Sequence, residues 1–349
     1  MIRLLPLLLA ALFLAACDSG SAPTDDDQAP EETTLRALAA RQGLHVGAAV
    51  AAGPLASDPS YREVLATEFN MLTAENVMKM GPLRPGPQNY SWGDADALVD
   101  FAEANDMEVR GHALVWHQSL PSWVENANWG RQELIAILQE HITSVVTRYK
   151  GRLAHWDVVN EAVGDDARRR PTIFNDVIGP EYLQMAFQFA HAADPDAKLF
   201  YNDYGAEGLG AKSDAVYQLV QELLDTGTPI HGVGLQMHVT ASNPPSMEAI
   251  RTNIRRLAAL GMEVHITEMD VRIPIPASES NLVAQAQVYN DVLNLCLSEP
   301  SCTSLVFWGF TDRHSWVPSF FQGFGAALPF DENYQPKLAY QVMQQTLSN

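Results

Sequence analysis

From about residue 33 onward the chain alternates short β-branched or apolar runs with longer stretches in which apolar positions recur every three or four residues. Eight such units can be counted. The runs predict strands at LHVGAAV (44–50), FNMLTAE (69–75), EVRGHALVW (108–116), HWDVVNEA (155–162), KLFYND (198–203), GVGLQMH (232–238), EVHITEMD (263–270) and SLVFWGF (304–310). Helices fall between them. The clearest, RQELIAILQEHITSVVTRYKG, sets Leu134, Ile137, Leu138, His141, Ile142, Val145 and Tyr149 on one stripe, with Gly151 as a stop signal. Others begin near Pro180, Lys212, Ser246 and Asn281, and a last one runs from Pro336 to the end.

Eight alternating βα units without a composition break predict an α/β fold, a single (β/α)8 TIM barrel over residues 34–349, with a doubly wound open sheet as the alternative. In a barrel the functional face lies at the carboxyl ends of the strands. There the pattern has Glu75 closing the second run, His112, Trp116 and His117 clustered at the end of the third, Glu161 closing the fourth, His238 the sixth, and Glu268 with Asp270 the seventh.

The segment before the barrel has a different texture. MIRLLPLLLAALFLAAC has one Arg, an apolar run too short to span a bilayer comfortably, then small residues, which reads as an export signal over residues 1–16; a short membrane anchor is the alternative. Its LAAC ending resembles the lipobox of bacterial lipoproteins, which implies acylation of Cys17 and a lipid-anchored protein on a bacterial membrane, facing the periplasm or the cell exterior. Residues 17–33 are acidic and lack an apolar cluster, as a flexible linker does. Cys296 and Cys302 remain, and an even remainder in an exported chain suggests a disulfide, with two buried free thiols as the other reading. The formal charge of −20 would repel phosphate backbones, so a nucleic-acid partner is not expected.

Cleaving a glycosidic bond takes one carboxyl to protonate the leaving oxygen and a second facing the anomeric carbon, and Glu161 and Glu268 suit these roles. The valines and tryptophan of WDVVNEA predict a desolvated surround that would keep the Glu161 carboxyl protonated. Glu268 must be ionised. Period-2 alternation puts it on the same strand face as Asp270, which could anchor His238 against it.

WDVVNEA and VHITEMD resemble the acid/base and nucleophile motifs of the glycoside hydrolase family 10 endo-β-1,4-xylanases, and the resemblance extends over nearly all of the chain beyond the linker. It implies a (β/α)8 barrel, a retaining double displacement without cofactor, Glu161 as acid/base and Glu268 as nucleophile, with Asn160, His238 and Asp270 orienting them. TAENVMK resembles the segment that holds the sugar on the non-reducing side, here Glu75, Asn76 and Lys79. RGHALVWH implies substrate contacts from His112, Trp116 and His117; YNDYG from Asn202 and Tyr204; GLQMHV from Gln236; and FWGFTDRHSW from Trp308 and Trp316. An aromatic at a strand end can stack on a sugar face; Trp129 reads as structural. The pattern departs at Met80, where family members carry Trp, and at Gln118, where a polar pair is inverted, so a weaker sugar-contacting wall is expected and no role passes to Gln118.

Other classes remain. Barrel metallohydrolases also gather His and carboxylates, which brings in His112, His117, His155, His238 and His265. On a strand, His112 and His117 should face opposite ways, and His265 should point into the helix layer, so no metal is expected. A β-1,4-glucanase of similar architecture and a glycan-binding lipoprotein without catalysis are the functional alternatives. The expected partners are xylan or xylo-oligosaccharide and, through Cys17, a membrane; the chain is expected to be monomeric.

Overall fold

The computed structural model describes residues 33–349; the signal-like segment, Cys17 and the linker up to residue 32 lie outside them. Eight parallel strands close on themselves. They are β1 (His45–Val50), β2 (Met71–Ala74), β3 (Glu108–Trp116), β4 (His155–Asn160), β5 (Lys198–Asp203), β6 (Gly232–Leu235), β8 (Glu263–Pro274) and β9 (Cys302–Phe307), each hydrogen-bonded to the next, with β9 pairing back onto β1 through His45–Ser304 to Ala48–Phe307. The open-sheet alternative therefore fails. Two short strands are added: β7 (His238–Thr240) extends alongside β8, and β10 (Phe324–Gly325) pairs antiparallel to its end.

The strands are buried along almost their whole length, as parallel strands covered on both faces must be. Helices surround them. The helix Arg131–Arg148 turns Leu134, Leu138, His141, Ile142 and Val145 inward, the stripe its periodicity predicts. In this outer layer Trp156 of β4 lies against Tyr149, its ring centroid 6.5 Å away, and covers Gly111, where a Cβ would fall 2.2 Å from the indole. A larger residue at 111 would push Trp156 off the β3–β4 seam.

Several ends differ from the pattern. The fourth run stops at Asn160 because Glu161 takes a left-handed φ of +59°, and the sixth splits into β6 and β7 because Met237 takes φ +67°. The seventh continues past Asp270 to Pro274. A helix, Leu35–Arg41, precedes the first strand; the Thr34 hydroxyl caps it by accepting from the Ala37 N–H. Cys296 and Cys302 form a disulfide with S–S 2.00 Å, joining the end of the helix Glu279–Ser298 to the start of β9, so the free-thiol reading falls. No helix among the described residues is long and apolar enough to cross a membrane.

His265 is a correction. It does not enter the helix layer but sits inside the barrel, with Nδ1 2.9 Å from Arg110 Nη1 of β3, Nε2 3.0 Å from Thr303 Oγ1 of β9, and its ring 4.4 Å from Phe200 of β5. Contacts to strands on so many sides can be made only from within. The register of β8 against β9 shifts between Ile266 and Met269, so alternation counted back from Glu268 assigns His265 to the wrong face.

Candidate active site

A cleft of about 860 Å³ opens at the carboxyl ends of the strands, and Glu161 and Glu268 both line it. Glu161, 8% exposed, is the first residue beyond β4. Its backbone is held from two sides: its N–H donates to the Asn202 carbonyl at 2.8 Å, and its carbonyl accepts from Arg170 Nε at 2.8 Å. Its carboxylate accepts from Trp116 Nε1 at 2.9 Å, Gln236 Nε2 at 3.0 Å and Asn160 Nδ2 at 3.3 Å, with His117 Nδ1 at 3.8 Å. The apolar surround expected from WDVV is thus corrected. Trp156 faces the helices, and the carboxyl is ringed by neutral polar donors.

Glu268, 4% exposed, accepts from Asn202 Nδ2 at 2.7 Å on one oxygen and meets His238 Nε2 at 3.1 Å on the other. The other nitrogen of His238 lies 2.8 Å from Asp270, whose same oxygen accepts from Trp316 Nε1 at 2.8 Å. Burial works against a charged imidazole here, but Asp270 and Glu268 outweigh it and push His238 up to about 10. Burial likewise opposes the charge on Glu268, yet His238 and His112 more than offset it and hold the carboxyl below its usual range. The expected Asp270–His238–Glu268 relay is present.

One amide network joins the two cradles. Asn160 Oδ1 accepts from Asn202 Nδ2 at 2.9 Å and from Gln236 Nε2 at 3.2 Å, so the donors to Glu268 and to Glu161 share an anchor. Thr267 Oγ1 donates to Asn202 Oδ1 at 2.6 Å and sets which way that amide points. Asn202 and Asp270 lie beneath the cleft floor rather than in its lining.

The β2 side supplies a second group. Glu75, Asn76 and Lys79 follow that strand in a turn, not on a helix face, with Asn76 bridging Glu75 Oε1 at 3.1 Å and Lys79 Nζ at 2.9 Å. Lys79 stands 4.7 Å from the Trp116 ring centre and 5.7 Å from that of Trp308. Burial lowers its pKa against the pull of Glu268, Glu75 and Glu161. Met80 packs in the hydrophobic core and does not line the cleft, so it presents no side chain to a bound sugar.

His112 and His117 also require correction, since both line this cleft. The register of β3 slips between His112 and Val115 and the strand ends at Trp116, which breaks the alternation that would have separated them. His112 Nδ1 lies 2.9 Å from Asp157 and its ring 5.1 Å from that of Trp308. A grouping with metal-ligand spacing lies elsewhere among the described residues, at the opposite end of the barrel, and consists of His155, Glu263 and His265. Arg110 occupies Nδ1 of His265 and Lys198 pairs with Glu263, so cations already hold these donors. Trp129 donates Nε1 to the Val124 carbonyl at 2.9 Å, the structural role expected.

Tyr204, at the rim, donates to Asp165 at 2.6 Å and accepts from Arg170 at 3.2 Å. Arg170, Glu207, Asn243, Arg272, Phe320 and Phe321 line the cleft without having been singled out in the sequence, and Gln118, to which no role was passed, lines it too. Most sit in loops, where no periodicity marks them. Arg272 had a signal, because positions 268, 270 and 272 continue one face of β8.

A parallel barrel that brings two carboxyl groups into one open cleft, each with its own donors, places this chain among the glycoside hydrolases. The chain belongs to glycosyl hydrolase family 10, whose model matches residues 34–346. It is 42% identical over 339 residues to endo-1,4-beta-xylanase B of Thermotoga neapolitana, covering 96% of this chain and 95% of that one. It is 39% identical to endo-1,4-beta-xylanase 1 of Humicola insolens, over 92% and 76%. Among solved structures it resembles xylanase 10B of Thermotoga petrophila in complex with xylobiose, with TM-score 0.88 and 44% identity, covering 90% of this chain and 97% of the other.

Proposed function

We propose that this protein is an endo-acting, retaining β-1,4-xylanase, and that Glu161 and Glu268 carry its two half-reactions. The observation that carries the reading is that both carboxyls line one cleft, Glu268 held below its usual range by His238 and Glu161 brought to the same opening by its own set of donors from Trp116 and Gln236. In the first step a Glu268 oxygen bonds to the anomeric carbon while the C–O bond to the leaving sugar breaks, and the proton of Glu161 passes to that leaving oxygen. In the second, Glu161, now a carboxylate, takes a proton from water as its oxygen attacks the anomeric carbon, and Glu268 leaves as a carboxylate. Asn160 and the Asp270–His238 pair orient the two groups. Glu75, Asn76, Lys79, His112, Trp116, His117, Tyr204, Gln236, Trp308 and Trp316 bind the sugar chain, whereas Asn202, expected among them, is buried below the floor and braces Glu268 instead.

The test is a pair of variants assayed on xylan and on aryl xylobiosides. Glu268→Ala is expected to abolish turnover on every substrate. Glu161→Ala retains rapid release of a good aryl leaving group but accumulates the glycosyl-enzyme; equal loss of both half-reactions would contradict its role. Product profiles on linear xylan against β-1,4-glucan separate this reading from a glucanase.

We also infer that Cys17 is lipidated after export, leaving residues 18–33 as a tether. Cys17→Ser should release the protein from membranes into the soluble fraction; continued membrane attachment would overturn the inference.

A further inference from the structure

The face of β8 that carries Glu268 and Asp270 continues to Arg272, which lines the same cleft. Its guanidinium carbon lies 4.0 Å from the ring centre of Phe321, and Phe320, 68% exposed, stands next to Phe321 with ring centroids 4.8 Å apart. Trp316 completes the aromatic wall, 5.0 Å from Phe320. Asn243 lines the cleft here as well. Among the described residues no carboxylate forms an ion pair with Arg272, and its Nη1 is buried without a hydrogen-bond partner. A partly buried cation without an acceptor is costly, the more so in a chain that carries −20 and pairs Arg110, Arg148 and Arg152 with carboxylates. An arginine fixed on an aromatic ring beside a second aromatic face has the chemistry to bind a sugar bearing a carboxylate: the rings take the pyranose face, and the guanidinium takes the anion as a fork.

We propose that Arg272, with Phe321, Phe320 and Trp316, forms a site for a uronic-acid branch on the polysaccharide, so that acid-substituted xylan is a preferred substrate rather than a tolerated one. This rests on the xylanase reading above. A branch docked here is held by the strand that carries Glu268, so its binding registers the main chain against the cleft.

The experiment compares kcat/KM on uronic-acid-substituted xylan, on the same polymer after its carboxyls are reduced to neutral hexose, and on linear xylo-oligosaccharides, at low and high salt. Wild type is expected to favour the acidic polymer over its reduced form by about tenfold at low salt, less at high salt, as one charge-assisted pair would give. Arg272→Met should collapse that ratio towards one, and Arg272→Lys should keep part of it. A wild-type ratio at or below one overturns the site whether or not the variants fold. Equal losses on acidic and reduced polymer in Arg272→Met overturn it too. Failure of wild type to cleave linear xylo-oligosaccharides would strike instead at the xylanase reading.

Discussion

His238 is the residue on which the charge state of the cleft turns. It is pushed up to about 10, so at neutral pH it is an imidazolium that faces both Asp270 and Glu268. Removing that charge leaves Glu268 with its burial and fewer counter-charges, and its pKa must rise. His238→Gln is therefore expected to move the acid limb of kcat/KM upward by about one unit or more, since an adjacent opposite charge commonly shifts a carboxyl by about 1–3 units. An unmoved acid limb would show that His238 does not set the ionisation of Glu268. At this scale the sequence was informative about identity and less so about environment. Glu161, Glu268, His238 and Asp270 could all be named from strand-end positions. That Trp116 and Gln236 donate to Glu161 could not be read there: both were marked only as substrate contacts, and they reach the carboxyl from the end of β3 and from just beyond β6, 45 and 75 residues away in the chain.

Between the strands, small residues decide whether these side chains can meet. Gly234 of β6 lies opposite Asn202 of β5, and a Cβ there would fall 2.1 Å from Asn202 Oδ1 and 2.8 Å from Thr267 Cγ2. Asn202 reaches Glu268 through the space that this glycine leaves. Gly234→Ala should cost about 1–3 kcal/mol of stability by overpacking, and lower kcat about tenfold or more through the loss of a hydrogen bond to a charged group. Chemical denaturation and steady-state kinetics on linear xylan check the two parts, and an unaltered kcat would dissociate Asn202 from the nucleophile. Element identity was legible from periodicity, but two inferences from strict alternation failed, the opposed faces of His112 and His117 and the outward His265, and the sixth run, read as one strand, proved broken. In each case a register shift or a left-handed residue interrupts the period of two, and a sequence pattern carries no mark of that.

Across the molecule, buried histidines set the response to acid. Burial, with Arg84 nearby, holds His141 down to about 3; burial together with His265 and Arg110 holds His155 to about 2; and burial keeps His265 near 4 despite Glu263. Each folded-state value lies below the ordinary 6.5. Their contribution is thus complete above pH 6.5 and is lost as pH falls towards the folded-state values, because the unfolded chain takes up the protons. His238 runs in the opposite sense: its contribution is whole below 6.5 and is lost as pH rises through about 10. Denaturant midpoints should fall steadily from pH 6.5 to pH 4, each histidine steepening the slope by up to about 1.4 kcal/mol per pH unit. His141→Leu, at a position where, among the described residues, neither ring nitrogen has a side-chain partner, should flatten part of it; a slope as steep as wild type's would locate the acid sensitivity elsewhere. The amino-acid order by itself determined the eight βα units, and with them a closed barrel and the end at which its chemistry lies, because hydrophobic period and parallel-strand burial are local consequences of composition. Only the tertiary structure decided which donors and charges hold each carboxyl, which histidines face the cleft, and that, among the described residues, Arg272 stands there without a carboxylate partner, because each depends on groups brought from remote parts of the chain to within a few ångströms.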